Sequence, residues 1–184
     1  METILNRRIA ISKTLSRFLA VIFFVTLTGL GAFVRIPLPF TPVPLTLQTF
    51  FVLLSGALLG KKLGFISQAG YILLGMVGVP LFSGVSAGAL YLLGPTAGYI
   101  VGFLPAALIS GTLSKKEDRW WVIFAKLSLA DCALLISGMI WLKLSLGVSL
   151  GTAVFLGILP FIAGDLLKIA AVTALYRKLR TARQ

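Results

Sequence analysis

Asp165 and Lys168 place a carboxylate and an ammonium three residues apart in a run that is otherwise almost wholly apolar from Leu156 to Leu175. Three residues on a helix turn through about 300°, so the two side chains share one face, one turn apart. If the run crosses a bilayer, each charge costs roughly 2.5–3.5 kcal/mol at mid-depth, while each neighbouring Leu, Ile, Phe or Val returns roughly 0.3–0.6 kcal/mol. Insertion is then close to balance, which predicts a pair aimed at other helices or at a ligand and not at lipid. A second acid, Asp131, lies inside another apolar run, as a functional residue or as a hydrogen-bonding partner for a neighbouring helix. Catalysis is not expected. The chain has no His, which removes the commonest general base and every histidine-ligated metal or haem site. Nucleotide hydrolysis would need a GxxxxGK[ST] loop, and none is present. Asp131 and Asp165 as paired acids for lipid chemistry would need a metal or phosphate motif, and none accompanies them.

The elements that must hold these residues are membrane helices. Of 184 residues 58% are hydrophobic and 12% charged, with a mean hydropathy of +1.03, far from the roughly 45–50% apolar and 25% charged of soluble domains. At about 20 residues per span, the chain has room for roughly six spans in one integral membrane domain. The net charge of +12 does not point to nucleic acid, because most Lys and Arg fall in short clusters between apolar runs, the pattern that marks cytoplasmic loops. The single Cys132 permits no internal disulfide.

In chain order, the first span is expected over residues 18–34, behind Arg7, Arg8, Lys13 and Arg17, as a retained helix and not a signal peptide. Residues 35–45 follow as an outer segment holding Pro37, Pro39, Pro42 and Pro44, either a stiff connector or a lid over a site. Spans over 46–60 and 63–79 form a hairpin turned at Lys61-Lys62. An outer loop from Pro80 to Gly88 precedes a span over 92–113. There, Gly94, Gly98, Gly102, Ala106 and Ser110 make a small-residue stripe for close helix approach. Thr96 and Tyr99 lie on a different face, Thr96 divided between packing and ligand contact, Tyr99 inclined to contact. Lys115, Lys116, Glu117, Asp118 and Arg119 form a second basic loop. Spans over 122–142 and 152–176 complete the set, the last bent by Pro160 and ending at Arg177, Lys178, Arg180 and Arg183. The basic clusters then place both termini in the cytoplasm of a multi-pass protein of the cell (inner or plasma) membrane.

Three blocks resemble the signatures of the BioY family, biotin-specific substrate-binding (S) components of energy-coupling factor (ECF) transporters: Pro37 to Thr49, Gly94 to Tyr99, and Gly164 to Lys168. The resemblance implies an all-α six-helix S-component bundle that captures biotin near the outer face and delivers it through an ECF-type uptake transporter. It further implies no cofactor, and as partners a transmembrane coupling subunit and two ABC-type ATPases beside membrane lipid. Asp165 and Lys168 would hold the ureido end, whose N–H groups suit a carboxylate and whose carbonyl suits an ammonium. The rings and valeryl chain would lie on apolar walls. Gln48 and Tyr99 are secondary candidates, followed by Thr96 and, in the outer loop, Ser83 and Gly84. Asp131 belongs to no matching block. On the first helix, Ala20 is followed by Phe24 where S components usually keep small residues for docking. The rival readings are an S component for a different small vitamin, and a packing subunit in which the Asp–Lys pair only fixes helix register.

Overall fold

The computed structural model describes residues 2–113 and 119–181 and is built of seven α-helices with one short hairpin. Lys115, Lys116, Glu117, Asp118 and Arg183 of the basic clusters lie outside the described residues. Helix α1 (Glu2–Phe33) contains an apolar stretch, Lys13–Phe33, of 21 residues with mean hydropathy 1.8. One side of it packs inward through Phe24, Val25, Thr28 and Ala32, while Phe18, Leu19, Ile22, Phe23 and Leu30 are exposed. That much bare apolar surface is a liability in water and the ordinary state of a lipid-facing helix. Gly29 faces Leu81 and not the outside.

The Pro-rich segment is closed at its base. Strand β1 (Arg35–Ile36) pairs antiparallel with β2 (Leu45–Thr46), Arg35 opposite Thr46 and Ile36 opposite Leu45. The Leu47 amide donates to the carbonyls of Val34, at 3.0 Å, and Gly31, at 3.2 Å. Residues 37–44 therefore project as a strap whose two ends are pinned to α1.

Helix α2 (Gln48–Leu59) has 12 residues, about 18 Å at 1.5 Å per residue, and α4 (Ala97–Ser110) has 14, about 21 Å. Both fall short of a hydrocarbon core of about 30 Å. They begin at the same end of the bundle, so the missing length is made up there by irregular chain: the strap above α2 and residues 78–96 above α4. α3 (Lys61–Val77) turns back from α2 at Gly60, whose φ of +81° suits a residue without a Cβ. Residues 78–96 carry a Phe82–Ser86 bridge and a 3-10 turn over Ala89–Leu93. Phe82 is fully buried and stacks on Tyr91 with centroids 4.9 Å apart.

α5 (Trp120–Leu146) is a 27-residue helix of mean hydropathy 1.8. α6 (Leu150–Gly157) and α7 (Ile162–Thr181) meet at a 49° bend. The run expected as one span over 152–176 is thus two helices broken around Pro160, because proline has no N–H to give and crowds the preceding turn. Among the described residues, two helices are long and apolar enough to cross a membrane, or three with α6 and α7 taken as one span.

The stripe's two glycines within α4 pack on α5, while Ser110 at its far end lies against Gly56 of α2. A Cβ on Gly98 would run into Trp141 Cβ, and one on Gly102 would lie 3.0 Å from the Leu134 carbonyl. Gly94 stands outside the helix. It closes the 3-10 turn, and its carbonyl accepts from Trp141 Nε1 at 2.8 Å. Gly56 and Gly64, on the two arms of the α2–α3 hairpin, meet directly: a Cβ on Gly64 would lie 2.8 Å from Gly56 Cα. A buried network of Gln68, Thr28 and Ser55 ties α3 to α1 and α2, with Gln68 Nε2 donating to Ser55 Oγ at 3.0 Å.

Candidate functional site

Three helices start at the end where α2 and α4 fall short, and their first two turns face a common cavity. α2 contributes Gln48 and Thr49, α4 contributes Tyr99, Ile100 and Phe103, and α7 contributes Asp165 and Lys168. Leu134 and Leu135 of α5 and Phe161 supply further apolar wall. The space left by atoms is about 530 Å³ with its mouth included. Beside it, a second, more open chamber of about 450 Å³, its mouth included, lies under the strap, lined by Arg35, Pro37, Leu38, Thr41 and Pro42. Pro44, Ser83, Tyr91 and Thr96 border both chambers.

Asp165 sits in the first turn of α7, where the exposed amides of a helix start favour a negative charge. Lys168 Nζ donates to its Oδ1 at 2.8 Å, with side chains 13% and 4% exposed for Lys and Asp. Among the described residues neither side chain makes another hydrogen bond, so the rest of the pair's hydrogen-bonding capacity is open to a molecule in the cavity. The pair is turned inward, against apolar walls, as the insertion balance requires.

The other polar groups are partly committed to protein. Gln48 accepts from Thr46 Oγ1 at 3.3 Å and donates through Nε2 to the Tyr71 hydroxyl. Tyr71 in turn donates to the Leu81 carbonyl at 3.0 Å. An amide nitrogen carries two hydrogens, so Gln48 keeps one donor for the cavity. The Tyr99 hydroxyl donates to the Gly157 carbonyl at 2.7 Å, satisfying a backbone group at the α6–α7 break, while its ring covers Gly138 and forms cavity wall. Ser83 reaches the lining, and its buried Oγ has no hydrogen-bond partner among the described residues.

Of the residues singled out in the sequence, Asp165, Lys168, Gln48, Tyr99, Thr96 and Ser83 all border this one cavity. Gly84 is not part of its lining. It turns the chain at φ +84°, and a Cβ there would lie 2.6 Å from Arg35 Nη1. Asp131 is buried beside the cavity, on α5, and no part of the lining. The sequence reading passed over Thr49, Tyr91 and Tyr71. A tyrosine well inside a membrane helix is the signal that would have found Tyr71, since its hydroxyl must be satisfied away from lipid. Tyr91 has no comparable mark, being set by the fold of residues 78–96.

Short helices around an inward cavity with one charged pair define a helical membrane protein with room for a small molecule. The comparisons with known proteins identify its kind. The sequence profile of the BioY family matches residues 5–184, and the chain belongs to that family. A probable biotin transporter BioY of Pyrococcus horikoshii is 41% identical over 160 residues, covering 87% of this chain and 93% of that relative. The biotin transporter BioY of Thermotoga maritima is 37% identical over 158 residues, covering 84% and 91%. The fold matches the crystal structure of the S-component for biotin from an ECF-type ABC transporter with a TM-score of 0.86 and 28% identity, over 92% of this chain and 93% of that one.

Proposed function

We propose that the chain is the substrate-capturing S component of an ECF-type uptake transporter and that its substrate is biotin. The observation that carries this reading is the Asp165–Lys168 pair, buried at the wall of an apolar cavity with hydrogen-bonding capacity to spare. A ureido group brings N–H donors for the carboxylate and a carbonyl oxygen for the ammonium, so one planar head satisfies both charges. Gln48 offers a further amide donor, Thr96 and Ser83 border the route toward the strap, and Tyr99 is wall. The fused rings and valeryl chain are matched by Phe103, Leu134, Leu135 and Phe161. The family of the relatives supports the same assignment.

In this reading the chain makes six passes with both termini cytoplasmic. The cavity end faces out, and residues 35–45 form its lid. No reaction occurs at the site. A coupling subunit and two ATPases on separate chains supply the energy for release inward.

Equilibrium binding of labelled biotin to the purified chain in detergent, with other vitamins as competitors, tests the assignment. Saturable binding displaced by biotin alone is expected; displacement by another vitamin in preference would overturn it. Asp165→Asn keeps the shape but removes the charge, and a charge-assisted hydrogen bond is worth about 1.5–3 kcal/mol. The variant is expected to bind roughly 10- to 150-fold more weakly, at 1.4 kcal/mol per tenfold, while running as an intact, monodisperse protein. Loss of expression with no binding-specific defect would instead mark a pair that only fixes helix register.

A further inference from the structure

Asp131 is a buried acid that the reading above leaves without a task. It is 4% exposed and lies one helical turn from Leu134 and Leu135, which line the cavity. Its Oδ1 has no hydrogen-bond partner among the described residues, and neither does Ser128 Oγ one turn earlier, so the helix's own nearest hydroxyl does not satisfy it. A carboxylate left this way in an apolar interior is costly and requires a donor. α5 packs against α7, whose Asp165, a like charge, and Lys168, an opposite one, are the charged groups that act on it, although among the described residues no ion pair joins it to Lys168 while Asp165 holds the ammonium. An ammonium has three N–H donors, and the one hydrogen bond shown for Lys168 goes to Asp165.

Resting on the assignment of the cavity to biotin, we propose that Asp131 is a positioning residue for Lys168, a second carboxylate that balances and orients the ammonium once the ligand has engaged Asp165. Asp165 holds Lys168 directly. When the ureido N–H groups draw on the Asp165 carboxylate, its hold on the ammonium weakens, and a lone ammonium against apolar walls is strongly disfavoured. Asp131 keeps it charged and pointed at the ureido carbonyl without touching the ligand. Two acids and one base thus serve one ligand, the second acid acting through the base.

The test is a double-mutant cycle on the full chain in detergent, reading equilibrium biotin affinity for wild type, Asp131→Asn, Lys168→Met and the double variant. Asp131→Asn is expected to weaken binding roughly tenfold or more, the scale of one charge-assisted hydrogen bond. In the Lys168→Met background the same change is expected to have almost no effect, and Asp131→Glu to restore most of the affinity. Losses that multiply, or unaltered binding by Asp131→Asn, overturn the inference while leaving biotin as the substrate. Absence of binding by the wild type overturns both. Should Asp131→Asn not be recovered folded, Asp131→Ser enters the same cycle with the same expectation. Failure of both to fold makes Asp131 a structural residue and overturns the proposal.

Discussion

Tyr99 shows how a side chain can line the cavity while its donor is spent on the protein. Its ring is cavity wall, yet its hydroxyl is committed to the Gly157 carbonyl at 2.7 Å. That carbonyl ends α6 at the break before α7, so the tyrosine helps hold the turn that delivers Asp165. Tyr99→Phe would leave the carbonyl unmatched in a buried place, at about 1–3 kcal/mol. The expected outcome is a lower unfolding temperature in detergent, with biotin affinity falling much less than for Asp165→Asn. Gln48 is the opposite case. It has a donor in hand after serving Tyr71, so Gln48→Ala should weaken biotin binding several-fold, roughly the worth of one neutral hydrogen bond at about 0.5–1.5 kcal/mol. Affinity measured beside thermal stability separates the two roles.

At the scale of elements, what was legible in the sequence followed from single, costly residues. Asp165 and Lys168 betray an inward face because lipid would not tolerate them, and they do border the cavity. The glycine stripe betrays a close helix contact, and it does press on α5. Where an element's limits depend on tertiary contacts, the same reasoning stopped short. Gly94 has the four-residue spacing of the stripe but is held outside α4 by Trp141 Nε1 and the 3-10 turn. Gly84 has the look of a site glycine yet serves a turn against Arg35. Pro44 and Lys61-Lys62 already confine α2 to a short span, whereas the expected 92–113 span gives no sign that α4 covers only Ala97–Ser110, although that shortness is what makes room for the cavity. The stripe gives a direct test. Gly98→Leu must displace Trp141 or the Ser137 backbone, and overpacking of this kind costs about 1–3 kcal/mol or more. Poor recovery of folded protein is expected. Gly151→Ala is the control: its Cβ would meet nothing nearer than Ser149 Oγ at 4.0 Å, and stability should be unchanged or up by about 0.5–1 kcal/mol.

For the whole molecule, the decisive matter is which end of the bundle faces out. Charge and cavity lead to one answer by separate routes. Lys61 and Lys62 cap the end opposite the cavity, as do Arg177, Lys178 and Arg180 at the finish of α7, and basic clusters are retained on the cytoplasmic side. The cavity end, by contrast, carries the apolar strap and residues 78–96, with Arg35 among the few charges there. In the proposed uptake role the cavity must open outward, so the two criteria agree only if the strap is external. Cys132 is exposed and must first be replaced by alanine. In that background Leu38→Cys, in the chamber under the strap, should react with a membrane-impermeant maleimide on intact cells, whereas Lys62→Cys should react only after permeabilisation. Saturating biotin should slow labelling at Leu38→Cys, since a strap closed over its ligand excludes reagent, and leave Lys62→Cys unaffected. The reverse sidedness would place the cavity toward the cytoplasm and remove the basis for outward capture, whatever the affinity for biotin.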